Sequence, residues 1–277
     1  MAIIDAHSHL WTPDTRRYPL AKGFKREDMK PPSFTPEELF AHCKPEGVNR
    51  VVAIQMSFYG FDNSYILDQI KRFPGVFSGV AVVDWTAARP DEEMGKMAKG
   101  GVRGFRVRPG EPPAPNWMET PGFERMFLFA ADRKLAICPL MDPRGLPSLS
   151  RMCARFPHTR VVIDHFCRIG IDGEIRDADV DALCKMAQYP EVRVKTSAFY
   201  ALGKKRPPHD ELEPMIRRLH GAFGAKRLMW ASDCPFAVVD EKYRDSLSLV
   251  RDGCKWLTPD EREWMLRKTA EEVFFSK

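Results

Sequence analysis

Two histidines separated by one residue close the first apolar segment of the chain. His7 and His9 end the run Ile-Ile-Asp-Ala-His-Ser-His that begins at residue 3. In a strand, alternate side chains share a face, so both imidazoles point to one side, about 7 Å apart. Imidazoles placed in this way can bind one divalent metal ion. Two polar histidines in a loop are the alternative.

A third histidine and an aspartate end two later apolar segments. His165 closes the run Val-Val-Ile-Asp-His, and Asp233 follows Met-Trp-Ala-Ser. Taken singly, the histidine could be a structural core residue, and the aspartate could form a turn before Pro235. Three imidazoles and one carboxylate together suit Zn²⁺ or another first-row ion. We therefore predict one divalent site with the ligands His7, His9, His165 and Asp233.

Short apolar, β-branched segments recur along the whole chain at intervals of roughly thirty residues. Their near-continuous apolar character is typical of parallel strands that are covered on both faces. We predict eight strands: Ile3–Asp5, Arg50–Ile54, Val76–Val83, Gly101–Val107, Leu135–Leu140, Arg160–Asp164, Val192–Lys195 and Arg227–Ala231.

Helical segments fill the gaps between these strands. Thr35 and Thr258 each begin a Thr-Pro-x-Glu capping box with proline at the first helical position. The other predicted helices are Ser64–Arg72, Asp91–Lys99, Phe123–Lys134, Ser148–Arg155, Asp177–Gln188, Asp210–Phe223 and Lys242–Trp256.

Eight alternating strand–helix units predict an α/β protein with a (β/α)8 TIM barrel, as a single domain over residues 1–277. A doubly wound open sheet is the alternative, but no glycine-rich phosphate loop follows the first strand. Long connections follow the first, fourth and seventh strands, at Trp11–Ser33, Arg108–Met118 and Ser197–His209. They would cover the carboxyl-terminal end of the barrel, where active sites lie. We predict a pocket with a lid there.

The composition argues against several other classes of protein. Lys and Arg number 43 against 38 Asp and Glu, and no basic stripe alternates with aromatic residues, so we expect no nucleic-acid partner. No apolar run approaches the ~18 residues of a membrane span. The seven cysteines form no Cys-x-x-Cys pair, and the first residues lack a leader pattern. We expect a cytoplasmic, small-molecule enzyme, with a homodimer left open.

These motifs resemble the amidohydrolase superfamily, and within it the amidohydrolase-related family 2 group of sugar lactonases and 2-pyrone-4,6-dicarboxylate lactonase. The resemblance spans nearly the whole chain and implies the barrel fold. Strand 4 lacks a lysine in its core and strand 5 lacks a histidine, so a two-metal site is not expected, and some relatives use no metal. The resemblance rests on Ile4–Trp11 with Tyr18-Pro19-Leu20, Gly104-Phe105-Arg106, Phe156–His165, Val194–Ser197 and Arg227–Pro235.

The resemblance also implies a substrate pocket. Arg106 would hold a substrate carboxylate, a role that a guanidinium suits, and Arg108 shares its face of the strand. The alternative for both is a surface ion pair. Lys195, inside an apolar strand, either bonds substrate or pairs with an aspartate. Tyr59 and Arg168 complete the predicted pocket.

The predicted reaction is metal-assisted hydrolysis of a lactone or related cyclic ester with an anionic or sugar-derived substrate. Asp233 would act as the base toward water, and the ion, zinc first and manganese second, would activate the carbonyl or the water. Without a metal, the catalytic His165 would polarise the carbonyl. The alternatives are non-oxidative decarboxylation of an aromatic or unsaturated acid, lactone isomerisation, and a binding barrel without catalysis.

Overall fold

The computed structural model describes residues 2–110 and 113–276, in which eight parallel strands lie side by side in chain order. At their carboxyl-terminal ends the first and last strands meet, because Ser8 pairs with Cys234 and the His9 N–H donates to the Cys234 carbonyl at 2.7 Å. The predicted (β/α)8 barrel is confirmed. Its strands are β1 Ile3–His9, β2 Val48–Ile54, β3 Phe77–Ala81, β4 Val102–Val107, β5 Ala136–Pro139, β6 Arg160–Ile163, β7 Val192–Ser197 and β8 Leu228–Ala231.

The α-helices of the described residues lie largely where the sequence predicts them. The Thr35 and Thr258 hydroxyls accept from the N–H groups of Glu38 and Glu261, as a capping box requires. The helices are α1 Pro36–Cys43, α2 Ser64–Arg72, α3 Pro90–Lys99, α4 Pro121–Arg133, α5 Leu146–Arg155, α6 Asp177–Lys185, α7 Glu213–Phe223, α8 Tyr243–Ser248, α9 Pro259–Glu263 and α10 Thr269–Phe274.

The helix predicted over Lys242–Trp256 is shorter in the structure. After α8, the chain forms a π-helical turn at Leu249–Gly253. The Arg262 guanidinium donates hydrogen bonds to the carbonyls of Val250 and Cys254 at 2.6 and 3.0 Å. These carbonyls are therefore satisfied by a side chain rather than by a further helical turn.

Apolar side chains fill the inside of the barrel, and a larger apolar cluster lies between the strands and the helices. The interior cluster includes Phe274 of the last helix. Gly104 of β4 leaves room for it, since an added Cβ would lie 3.2 Å from Phe274 and 3.1 Å from both Val80 and Cys138. Only glycine fits this position of β4 without displacing its neighbours.

The predicted long connections differ in their relation to the cavity described below. Residues 11–33 after β1 fold back on themselves, with Trp11 paired to Phe34, and do not line the cavity. The connections after β4 and β7 contribute Arg108 and the segment from Ala198 to Leu202. Residues 111 and 112 of the predicted Arg108–Met118 connection lie outside the described residues. No helix in the described segments is long and apolar enough to cross a membrane.

Candidate active site

The four predicted metal ligands come together at the carboxyl-terminal end of the barrel. Asp233 Oδ1 lies 3.4 Å from His7 Nε2, 3.2 Å from His9 Nε2 and 3.8 Å from His165 Nε2. All four residues are at most 6% exposed. Ligand atoms of His7, His165 and Asp233 lie within 4.8 Å of one another, so the group could hold one metal ion.

The contact between His9 and Asp233 has a geometry that a cation would fit. His9 Nδ1 lies 3.0 Å from the Ile54 carbonyl, which can only accept, so in the neutral ring Nδ1 carries the hydrogen and Nε2 a lone pair. That lone pair faces Asp233 Oδ1, a buried oxygen without a hydrogen-bond donor among the described residues. Two buried acceptors this close favour a metal ion or a proton between them.

Asp5, a buried carboxylate on β1, positions the catalytic candidate Asp233. It accepts from the Ser232 N–H at 2.9 Å, from the Ser232 hydroxyl at 2.5 Å and from the Tyr243 hydroxyl at 2.8 Å. Burial raises the pKa of Asp5, although these hydrogen bonds oppose the rise. Asp233, which directly follows Ser232, has a φ of 65° and donates its N–H to the His7 carbonyl at 2.8 Å. These bonds tie β8 to β1 beside the site.

A buried network of charges lies against His7. Arg106 Nη2 is 2.9 Å from His7 Nε2, and Lys195 Nζ is 3.1 Å from His7 Nδ1. Asp164 pairs with both cations, at 2.9 Å from Arg106 and 3.0 Å from Lys195. Burial and the Lys195 charge lower the pKa of His7 well below its ordinary value. Burial raises the pKa of Asp164, but Lys195 and Arg106 outweigh it and hold that pKa well below the usual range. The structure therefore places Lys195 in an ion pair, one of its two predicted roles.

His165 and Tyr200 contact Asp233 from the other side. His165 Nδ1 lies 2.8 Å from the Ser197 hydroxyl, and burial lowers the pKa of His165 to about 4, so the ring is neutral at neutral pH. Tyr200 donates its hydroxyl to Asp233 Oδ2 at 2.8 Å. Burial raises the pKa of Asp233, whereas any positive charge on the rings of His165, His9 and His7 lowers it, and the second effect is the larger.

A left-handed turn carries His165 into the site. Four consecutive residues from His165 to Arg168 have φ between 50° and 58°. Such a conformation costs about 1–2 kcal/mol for each non-glycine residue. Phe166 and Cys167 are fully buried, so core packing offsets the strain. The turn aims both His165 and Arg168 at the cavity.

A cavity of about 440 Å³ opens above these residues. Arg106, Arg108 and Arg168 line it, as predicted for the substrate pocket. Lys195 lies below it, and Tyr59 lies in the core, where its hydroxyl accepts from the Thr12 N–H at 3.2 Å. Neither of these two residues is part of the lining.

Sequence reasoning missed several residues that shape the site. Asp164 was predicted only as a strand residue, although a carboxylate in the apolar strand before His165 is the partner that the buried Lys195 needs. Tyr200 and Ser197 were not predicted as site residues, because a single hydroxyl side chain forms no distinctive pattern in the sequence. Gln55 lines the cavity at the end of β2, with its buried Oε1 unpartnered among the described residues.

The amidohydrolase family model matches residues 4–275. The chain therefore belongs to the amidohydrolase family and is a hydrolase.

Two curated relatives act on lactones, according to their names. The chain is 28% identical over 272 residues to an L-fucono-1,5-lactonase of Burkholderia ambifaria, covering 94% of this chain and 90% of that protein. It is 23% identical over 249 residues to a 4-sulfomuconolactone hydrolase of Hydrogenophaga intermedia, covering 90% of this chain and 78% of the relative. A zinc-bound amidohydrolase structure from Burkholderia multivorans superposes over 100% of both chains with a TM-score of 0.84, at 22% identity. This last similarity concerns the fold.

Proposed function

We propose that the chain hydrolyses the ring ester of a small lactone that carries an anionic group. The observation that carries the proposal is Asp233 Oδ1, a buried carboxylate oxygen that no donor of the described residues reaches, on the wall of a cavity that three arginines also line. A carboxylate in this state can accept a proton from water. The names of the two curated relatives support a lactone as the substrate.

The side chains divide the reaction between them. Asp233 Oδ1 takes a proton from water while the water oxygen attacks the lactone carbonyl carbon. The ring C–O bond then breaks, and the leaving alkoxide takes that proton, which yields a hydroxy acid. The Tyr200 hydroxyl donates to Oδ2 of Asp233, so Oδ1 is the oxygen that accepts the proton. Without the ion, a His165 ring that accepts from the Ser197 hydroxyl at Nδ1 would carry its hydrogen on Nε2 and donate it to the carbonyl oxygen. Arg106, whose buried Nε has no partner among the described residues, binds the anionic group.

One divalent ion would be held by His7, His9, His165 and Asp233, with zinc proposed before manganese. When bound, it would supply Lewis-acid polarisation of the carbonyl and lower the pKa of water. Arg106 Nη2 already lies 2.9 Å from His7 Nε2. The guanidinium must therefore withdraw before His7 can serve as a ligand.

The test is acid release from a panel of sugar lactones, muconolactones and pyrone carboxylates, with a pH indicator, for the wild type and Asp233→Asn. We expect turnover of at least one lactone and a loss of at least about 100-fold in kcat in the variant, as for removal of a general base. Full turnover by a folded Asp233→Asn protein contradicts the role of this residue. If no lactone of the panel is hydrolysed and carbon dioxide is released from an aromatic acid, the protein is a decarboxylase instead.

A further inference from the structure

We infer that the substrate is an amphipathic lactone, with one anionic end and one apolar end, rather than a polyhydroxylated sugar lactone. The inference rests on the proposed function and narrows it. It is drawn from the lining and the rim of the same cavity.

The cavity walls are largely apolar. The connection after β2 contributes Met56 and Phe61, and the connection after β3 contributes Val82 and Trp85. Trp85 is stacked on Phe123 with ring centroids 5.4 Å apart, which holds its ring in place. The remaining large apolar side chains of the wall are Leu140, Ile171, Leu202 and Phe236.

Beyond the arginines, Asp233 and the histidines, few side chains of this lining could bind sugar hydroxyls. Within the described residues, they are Gln55, Ser57 and Tyr200. The Tyr200 hydroxyl is directed at Asp233, and Gln55 Nε2 donates to the Asp62 carbonyl. Gln55 is therefore left with one free acceptor. Sugar hydroxyls that face the apolar walls would lose their hydrogen bonds to water without replacement, and each such hydroxyl weakens binding.

The three arginines of the lining and the rings of Phe61 and Phe236 lie on opposite sides of the barrel. Arg106 and Arg108 are on or directly after β4, and Arg168 follows β6. Phe61 follows β2 and Phe236 follows β8. Because the eight strands run in chain order around the barrel, β8 to β2 face β4 to β6. A ligand that spans the cavity therefore meets cations at one end and aromatic rings at the other.

Exposed apolar side chains also occur at this end of the barrel. Five large apolar side chains of the described residues are exposed. Phe24, Phe61, Ile171 and Val239 follow β1, β2, β6 and β8, so they lie at the same end of the barrel as the site. The fifth, Leu128, lies on α4. Of these side chains, Phe61 and Ile171 also line the cavity, so exposed apolar surface adjoins the cavity at these two residues.

The experiment compares three lactones of one ring size: a carboxylated lactone with a phenyl substituent, the same carboxylate without phenyl, and an aldonolactone. We expect kcat/KM for the phenyl compound to exceed the other two by about 10-fold or more, as burial of an apolar substituent allows. Phe61→Ser should lower kcat/KM for the phenyl compound about 10-fold more than for the unsubstituted carboxylate. Phe61 is 54% exposed, so the substitution leaves the core intact.

Leu128→Ser is the matched control, because Leu128 is 59% exposed and outside the cavity lining. It should change none of the three values. If the enzyme prefers the aldonolactone and Phe61→Ser has no effect, this inference is wrong. The proposal of lactone hydrolysis is then still supported. If the folded wild type opens no lactone, the proposed function fails and this inference fails with it.

Discussion

Asp233 is oriented by side chains that do not themselves need to touch substrate. Asp5 holds the backbone before it, Tyr200 binds Oδ2, and His9 faces Oδ1. Only one carboxylate oxygen is therefore left to react. A carboxylate restricted in this way is preorganised for proton transfer, which matters more than its intrinsic basicity.

Removal of the Tyr200 hydroxyl tests this arrangement. A hydrogen bond to a charged group contributes about 1.5–3 kcal/mol, so Tyr200→Phe should lower kcat about 10-fold or more with little change in stability. Steady-state kinetics and thermal unfolding measure the two effects. Tyr59→Phe is the control, since the Tyr59 hydroxyl contacts the Thr12 N–H outside the cavity lining. A rise in KM alone for Tyr200→Phe would show a binding role instead.

The pairing of Lys195 with Asp164 predicts strong coupling between two buried charges. Lys195→Met leaves the buried Asp164 with fewer cationic partners and should destabilise the fold by about 3–5 kcal/mol. The double variant Lys195→Met/Asp164→Asn should lose less free energy of unfolding than the two single variants together, because it no longer contains an uncompensated buried charge. Urea unfolding of the wild type and the three variants gives the coupling energy. Additive losses would mean that the two residues do not interact.

Secondary-structure elements differ in how well the sequence predicts them. The eight strands were predictable because each is a short apolar run, and α1 and α9 because of their capping boxes. The His-x-His motif and the strand-end positions of His165 and Asp233 made it possible to predict that these four side chains meet at one end of the barrel. The left-handed turn from His165 to Arg168 was not predictable, since its strain is offset by packing between residues far apart in the chain.

Contacts between elements also could not be predicted from the sequence, and the ion pairs of Glu46 are an example. Glu46, in the turn after α1, binds Arg244 of α8 and Arg251 of the following π turn, both at 3.0 Å. Burial raises the pKa of Glu46, but Arg251 and Arg244 outweigh it and lower the pKa below its usual value. A group with a depressed folded-state pKa stabilises the fold at higher pH, and this stabilisation is lost as pH falls through that pKa.

Glu46→Gln should therefore lower the free energy of unfolding by about 1 kcal/mol at pH 7. The difference from wild type should shrink as the pH falls below about 4, the ordinary range of a glutamate. Urea unfolding at several pH values measures it. Glu37→Gln is the matched control on α1, because the Glu37 side chain is 55% exposed and pairs with an equally exposed Arg72. A loss for Glu46→Gln that stays constant with pH would mean that packing, not charge, is responsible.

Across the whole molecule, the barrel interior is arranged in layers of increasing polarity. Apolar residues that include Phe274 fill its inner part, and Lys195 lies above the Phe274 ring, with Nζ 5.5 Å from the ring centroid. Lys195, Asp164 and Arg106 form the next layer, of which Arg106 reaches the cavity, and His9, His165 and Asp233 border the cavity. The last helix therefore supports the site from the inside of the barrel, although it contributes no residue to the cavity lining.

Phe274→Ala tests this support. Phe274 is 1% exposed, so the truncation leaves a cavity in the barrel interior and should cost about 3–5 kcal/mol. For a chain of this size the loss corresponds to a fall of about 10 °C in Tm. Because the ring lies against Lys195, kcat should also fall at temperatures where the variant is folded. Phe275→Ala is the control, since Phe275 is partly buried and lies under Arg50 with the Arg50 Cζ 5.0 Å from its ring centroid. The Tm of Phe275→Ala should fall less than that of Phe274→Ala, and its kcat should be unchanged. If the two truncations have equal effects on Tm and kcat, the interior position of Phe274 does not support the site.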